Sequence, residues 1–163
     1  MLLVLPWLSP YTAGPVPNAW PWLISAFCMA VVWLWRRLLS VELTATSWVL
    51  AASISAAMGL VQYFGLAHAF SPWVSTTNPG EAFSNLRQRN QFATLTSIGL
   101  VALLGLLARQ GTGWRVPGWA YLAVGLLALG NAASSSRTGL FQWLLIQLLA
   151  VWGRVPLWVA SGA

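Results

Sequence analysis

Two short polar clusters stand out in a chain that is otherwise mostly hydrocarbon. One is Asn85-Leu86-Arg87-Gln88-Arg89-Asn90-Gln91 and the other is Ser134-Ser135-Ser136-Arg137-Thr138. Guanidinium groups beside amides and hydroxyls make a chemistry suited to oxyanions: the planar fork binds phosphate in bidentate fashion, and amide N–H groups supply further donors. If residues 87–91 are already helical, Arg87, Asn90, Gln91 and Thr94 share one face at spacings of three and four, while Arg89 points elsewhere. Near a helix N-terminus such a face can hold phosphate or sugar oxygens. The same residues could instead cap helix ends and snorkel toward lipid headgroups. Arg137, following three serines, repeats the pattern and favours the binding reading.

The elements that must carry these clusters follow from composition. Of 163 residues, 58% are hydrophobic and 6% charged, with 12 Trp and a mean hydropathy of +0.71. A soluble domain carries about 25% charged residues, so an integral membrane protein is expected. The net charge of +6 comes from eight arginines, with no lysine, against Glu42 and Glu81. Scattered singly between apolar runs, these arginines form no stripe that could follow a nucleic-acid backbone. The single cysteine, Cys28, excludes an intrachain disulfide and a thiolate metal cluster, and is read as a small apolar side chain.

A helix needs about 20 mostly apolar residues to cross the hydrocarbon. Candidate spans are Ala19 to Trp35, stopped by Arg36 and Arg37; Leu43 to Leu66, softened by hydroxyls that can bond back to the helix; Phe92 to Ala108; Pro117 to Ala133; and Gly139 to Trp152, ending at Arg154. Apolar segments at Met1 to Leu8 and Pro156 to Val159 read as partial spans. The predicted fold is therefore all-α, a polytopic transmembrane bundle of about five complete spans with partial spans at both termini. Residues 1–163 form a single membrane region, expected to be a piece of a larger protein.

Arg36, Arg37, Arg109, Arg115 and Arg154 alternate onto one side of these spans, which the positive-inside rule makes cytoplasmic. Both polar clusters, together with the loop from Ala67 to Asn85, then face outward, where cations against the usual bias suggest an anionic partner such as a lipid-linked phosphate. That loop holds His68, the only histidine. With no second histidine, cysteine or close carboxylate it gives no metal site. Neither a nucleophile triad nor a general base is recognisable, and no cofactor is expected.

Asn85 to Thr94, followed by an apolar helix, resembles the Gly/Arg-Gln-x-Asn-x-x-Ala stretch of bacterial protein O-oligosaccharyltransferases of the PglL type, relatives of the O-antigen ligases. Leu5-Pro6-Trp7-Leu8 with Gly14-Pro15-Val16-Pro17 resembles their first outer turn, and Ser134 to Gly139 their Ser-Arg-Thr segment. The resemblance implies the N-terminal membrane half of an inner-membrane glycosyltransferase that moves a glycan from undecaprenyl diphosphate to a periplasmic protein or lipid acceptor. It implies that Arg87, Asn90, Gln91 and Arg137 hold the lipid diphosphate. In such proteins a later periplasmic loop carries further arginines and an essential histidine, a part for which His68 is no substitute, so this chain alone is expected to be inactive. A lipid-linked sugar polymerase or flippase-like transporter, and a non-catalytic membrane scaffold, are the alternative readings.

The charge pattern generates a topology test. A reporter active only outside the cytoplasm should work when fused near Thr76 and fail when fused near Gly111. The reverse pattern would move both clusters to the cytoplasmic side.

Overall fold

A computed structural model describes residues 4–8, 19–109 and 116–152. These residues are all-helical, with no β-strand among them. Their α-helices are α1 (Leu5–Leu8), α2 (Trp20–Leu34), α3 (Val41–Tyr63), α4 (Arg89–Arg109), α5 (Gly118–Ala133) and α6 (Arg137–Trp152), with 3₁₀ turns at Arg36–Leu38 and Ala67–Phe70. Each expected span from Ala19 onward corresponds to one of α2 to α6. Two of them, α3 and α4, are long and apolar enough to cross a membrane; α5 and the Leu23–Leu34 stretch of α2 are apolar but shorter. Arg115, Arg154, the Gly14-Pro15-Val16-Pro17 stretch and Pro156 to Val159 lie outside the described residues.

Local chemistry sets the boundaries. Helix α3 begins two residues before its expected start because Ser40 caps it: its Oγ accepts from Leu43 N–H at 3.0 Å, and Glu42 lies in the first turn where the helix dipole favours an anion. At the other end Gly65, at φ 73°, closes a Schellman motif in which Leu66 N–H donates to the Val61 carbonyl and Gly65 N–H to that of Gln62, both at 2.9 Å. Pro117 precedes α5 in an extended conformation rather than occupying its first turn. Within α3, Thr44, Thr46 and Ser47 return their hydroxyls to carbonyls four residues back at 2.7 to 3.0 Å, as expected, whereas the buried Ser55 Oγ has no partner.

Helices α3, α4 and α5 form the core and α6 packs on α4. Ala52, Ala56, Leu95, Leu100 and Leu127 make its centre, and Phe92 is wholly buried at one end against Ala82 and Ala133. The approach is close because small residues face one another: a Cβ built on Gly99 would lie 2.3 Å from that of Ala52. On the outside, Phe27, Met29, Leu122, Leu129, Leu144 and Leu148 are exposed. Cys28, by contrast, is buried.

Chain direction alternates. An exposed ion pair at 3.5 Å between Arg109 and Glu42 joins the end of α4 to the start of α3, so Arg109 sits at the end that α2 reaches with Arg36 and Arg37. Arg36 also stacks its guanidinium 4.6 Å over the Trp33 ring. The opposite end carries the connection from Phe64 to Gln88 and the turn between α5 and α6.

That long connection is held by two buried amide side chains. Gln62, with no exposed surface, donates from Nε2 to the Ser75 and Ser84 carbonyls at 2.9 and 2.8 Å, and its Oε1 accepts from Phe83 and Ser84 N–H at 3.0 and 2.7 Å. Asn85, 1% exposed, accepts at Oδ1 from the Ser75 N–H and hydroxyl and donates from Nδ2 to the Trp73 and Leu8 carbonyls. A turn at Asn78-Pro79-Gly80-Glu81, with Gly80 at φ 85°, returns its Gly80 N–H to the Tyr63 carbonyl at 2.9 Å.

Gln62→Leu keeps side-chain size but leaves four backbone groups without their partner, of which the buried Ser84 N–H and carbonyl would each cost roughly 1 to 3 kcal/mol when unsatisfied. The detergent-solubilised protein should lose several degrees of thermal stability and become cleavable by protease between residues 71 and 85. An unchanged melting curve and cleavage pattern would show the connection to be held by other means.

Candidate functional site

The two polar clusters meet at the same end of the bundle. Ser136 caps α6 by accepting the Gly139 N–H on its Oγ at 3.2 Å, and the same hydroxyl donates to Asn90 Oδ1 at 2.9 Å. Asn90 lies in the first turn of α4, so this bond ties the starts of two helices together across 46 residues. The preceding turn is built by Ser134, whose buried Oγ donates to the Asn131 carbonyl at 2.6 Å and accepts the Ser136 N–H, with Ser135 at φ 51°.

Below this link the contact stays polar. Gln142 Nε2 donates to Thr94 Oγ1 at 3.2 Å, and the Ser97 hydroxyl lies 3.0 Å from Gln142 Oε1 and 2.9 Å from the Ala93 carbonyl, one proton serving two acceptors. Thr96 Oγ1 reaches Asn131 Oδ1 of α5 at 3.3 Å. Between apolar helices such bonds set rotation and register, since each unpaired group would otherwise face hydrocarbon. Sequence reading missed the roles of Gln142, Asn131 and Gln62. Their signal is present, each being an amide inside an apolar run, where a partner on a neighbouring helix is required.

The four expected ligands are placed unequally. Arg87 is not helical: α4 begins at Arg89, and Arg87 sits before it with φ 62°. The expected shared face of Arg87, Asn90, Gln91 and Thr94 is therefore corrected, because helical spacing does not extend back to a residue in a left-handed conformation. Asn90 is engaged with Ser136. Gln91 is exposed and, with Asn90, Thr94, Leu95 and Ile98, lines a groove of about 440 Å³. Arg137 is exposed at the first turn of α6 and lines a different crevice, of about 410 Å³, with Asn131, Ser135, Ser136 and Trp143. It forms no ion pair among the described residues. Arg89 does point elsewhere: its guanidinium pairs with Glu81, whose other oxygen accepts from the Thr77 hydroxyl at 3.0 Å.

The arrangement thus puts Arg87, Arg89 and Arg137 around one rim, with Arg89 matched by Glu81, Arg137 at the mouth of a crevice and amides on the adjoining groove. His68 is exposed on its 3₁₀ turn, and no group of three or more metal-ligating side chains occurs among the described residues.

One family model, described as protein glycosylation ligase (PglL_A), matches residues 82–108. That stretch runs from the buried Ala82 through both expected ligands of α4, Asn90 and Gln91, to the penultimate residue of the helix. The match is short, and it makes the segment similar to that family. Neither the curated proteins nor the solved structures contain a match.

The Asn90 to Ser136 link depends on close contact lower down, where a Cβ on Gly139 would fall 2.3 Å from Asn131 Oδ1 and 2.6 Å from Ala93 Cβ. Gly139→Val should push α6 from α4 and α5, and cysteines placed at 90 and 136 should crosslink markedly less than in the Gly139 background. Equal crosslinking would show that the helix starts stay together without that contact.

Proposed function

We propose that the chain is the N-terminal membrane half of a protein glycosylation ligase, related to the O-oligosaccharyltransferases and O-antigen ligases. Its full-length parent transfers a glycan from undecaprenyl diphosphate to a periplasmic protein or lipid acceptor. In this reading α2 to α6 form a five-span bundle in the bacterial inner membrane, residues 1–163 are one membrane region, and the Asn90 to Ser136 end faces the periplasm. The shorter helices α5 and α6, 16 residues each, cover about 24 Å of a hydrocarbon core of about 30 Å and are completed by their flanking turns.

The observation that carries the proposal is the bond from Ser136 to Asn90, which sets Arg137 beside the segment resembling the ligase family. Arg87, Gln91 and Arg137 are then the residues that hold the diphosphate, with Asn90 fixing the spacing of the two helix starts and offering its free amide edge. Fixed guanidinium groups neutralise charge developing on a departing diphosphate without a metal ion. Glu81 already matches Arg89, which makes Arg89 a support of the loop rather than a ligand.

Arg87→Ala or Arg137→Ala in the full-length parent should reduce glycan transfer about ten- to a hundredfold, the range of one lost charge-assisted contact of roughly 1.5 to 3 kcal/mol. Arg36→Ala should leave transfer intact, and Arg89→Ala should act mainly through loop stability. Transfer is compared at matched membrane abundance. Full activity of both the Arg87 and Arg137 variants would reduce the clusters to helix-end structure.

A further inference from the structure

The outward surface of α3 does not stop where the helix ends. Leu50, Ile54, Ala57, Val61 and Phe64 follow one another at steps of four and three residues, one face on which all but the half-buried Val61 are exposed. At 1.5 Å per residue the 23 residues from Val41 to Tyr63 cover about 35 Å, more than a hydrocarbon core of about 30 Å. The last turn of α3 therefore already stands at headgroup level.

Beyond Gly65 the chain adds to that surface. The 3₁₀ turn Ala67–Phe70 packs back on α3 with Ala67 buried, and the Gly80 N–H, bonded to the Tyr63 carbonyl, closes the far side of the loop on the same helix end. Leu66, Phe70 and Trp73 are each more than half exposed, as is Phe64, and no Asp, Glu, Lys or Arg occurs from Phe64 to Gly80. Their outward placement is fixed by the backbone, since Asn85 binds the Trp73 carbonyl and the Ser75 N–H, and Gln62 binds the Ser75 carbonyl. Large apolar side chains held outward on an uncharged segment mark an interaction surface. At the end of a spanning helix the partner that fits is the membrane interface, where an aromatic body meets hydrocarbon and an indole N–H meets polar groups.

We infer that Phe64 to Trp73 is an interfacial anchor, lying in the headgroup region of the outer leaflet with Phe64, Leu66, Phe70 and Trp73 toward lipid, while the polar stretch from Ser75 to Gly80 stands in water. The segment recognises the lipid surface through apolar contact rather than headgroup charge. The inference rests on the membrane-spanning reading of α3 but not on glycan transfer. By pinning one side of the loop to the bilayer, the anchor sets the height at which Glu81 and Arg89 stand above the membrane.

The full chain, with Cys28→Ala, is reconstituted in phosphatidylcholine vesicles and carries one NBD fluorophore through Ser71→Cys, Asn78→Cys or Ile54→Cys. Lipids bearing a nitroxide near the headgroup should quench the probe at 71 while aqueous iodide hardly reaches it, and the probe at 78 should show the reverse. Phe70→Ser with Trp73→Ser should abolish lipid quenching at 71 and raise iodide quenching to the level seen at 78. Replacing part of the phosphatidylcholine by phosphatidylglycerol should change neither, since no Lys or Arg lies in the segment. Strong iodide quenching at 71 in the unaltered loop, or lipid quenching that survives the two serines, would overturn the assignment. So would shielding from both quenchers, which would mean that a protein surface covers the segment, or a requirement for phosphatidylglycerol, which would move the contact to the rim arginines. The probe at 54 separates these failures from that of the membrane reading. A mid-chain nitroxide should quench it whatever happens at 71, and no quenching there would overturn the spanning of α3 as well.

Discussion

The side chain of Gln62 is the constraint on which the loop end of this protein depends. It leaves the last turn of α3 with both donors and its acceptor directed at four backbone groups of a connection that has no regular secondary structure beyond a single 3₁₀ turn. Backbone amides in such a segment must find partners, and water is scarce where the segment is buried against apolar helices. Gln62 and Asn85 supply those partners from side chains, in place of a sheet ladder or helix. The consequence reaches α4: with Ser84 and Asn85 held, the left-handed turns at Ser84 and Arg87 direct the chain into the helix that begins at Arg89.

A second layer of polar contacts orients the helices themselves. An apolar helix in hydrocarbon has weak preference for rotation about its axis, since its faces are alike; van der Waals fit and interhelical hydrogen bonds decide it. Here Asn90 with Ser136, Thr94 and Ser97 with Gln142, and Thr96 with Asn131 define one rotation of α4 relative to α5 and α6. The glycines at 99 and 139 permit the close approach in that arrangement, because any larger side chain would meet a neighbour's Cβ or Asn131. Stability and register therefore come from the same few positions, and the charged rim above them is a by-product of how α4 and α6 begin.

Charge at the rim is distributed rather than pooled. Glu81 binds Arg89 and is itself held by Thr77, so the charge of Arg89 is committed within the loop. Arg137 projects from the first turn of α6, where the positive end of the helix dipole adds to its own charge. An anion arriving there meets a field that neither α6 nor the facing turn of α5 opposes with a carboxylate. At the other end Arg109 and Glu42 form an exposed pair of small energetic worth.

Much of the architecture was legible in the chain. The apolar runs, the tryptophans and the arginine stops place the helices to within a few positions, because helix formation in an apolar stretch is dictated locally by length and hydropathy; the Ser40 cap and the Gly65 turn that fix the ends of α3 emerged only from the structure. The pairing of helix starts was implied by short turns and alternating arginines. Tertiary structure alone decided which polar groups are shared between helices: Gln62, Asn131 and Gln142 look alike as isolated amides in apolar runs, and only the three-dimensional neighbours show that one organises a loop and two join helices. It also decided that Arg87 stands outside the helix and that Asn90 and Arg137 open onto different cavities. Those outcomes depend on backbone dihedrals and contacts between residues tens of positions apart, and helical periodicity carries no information about either.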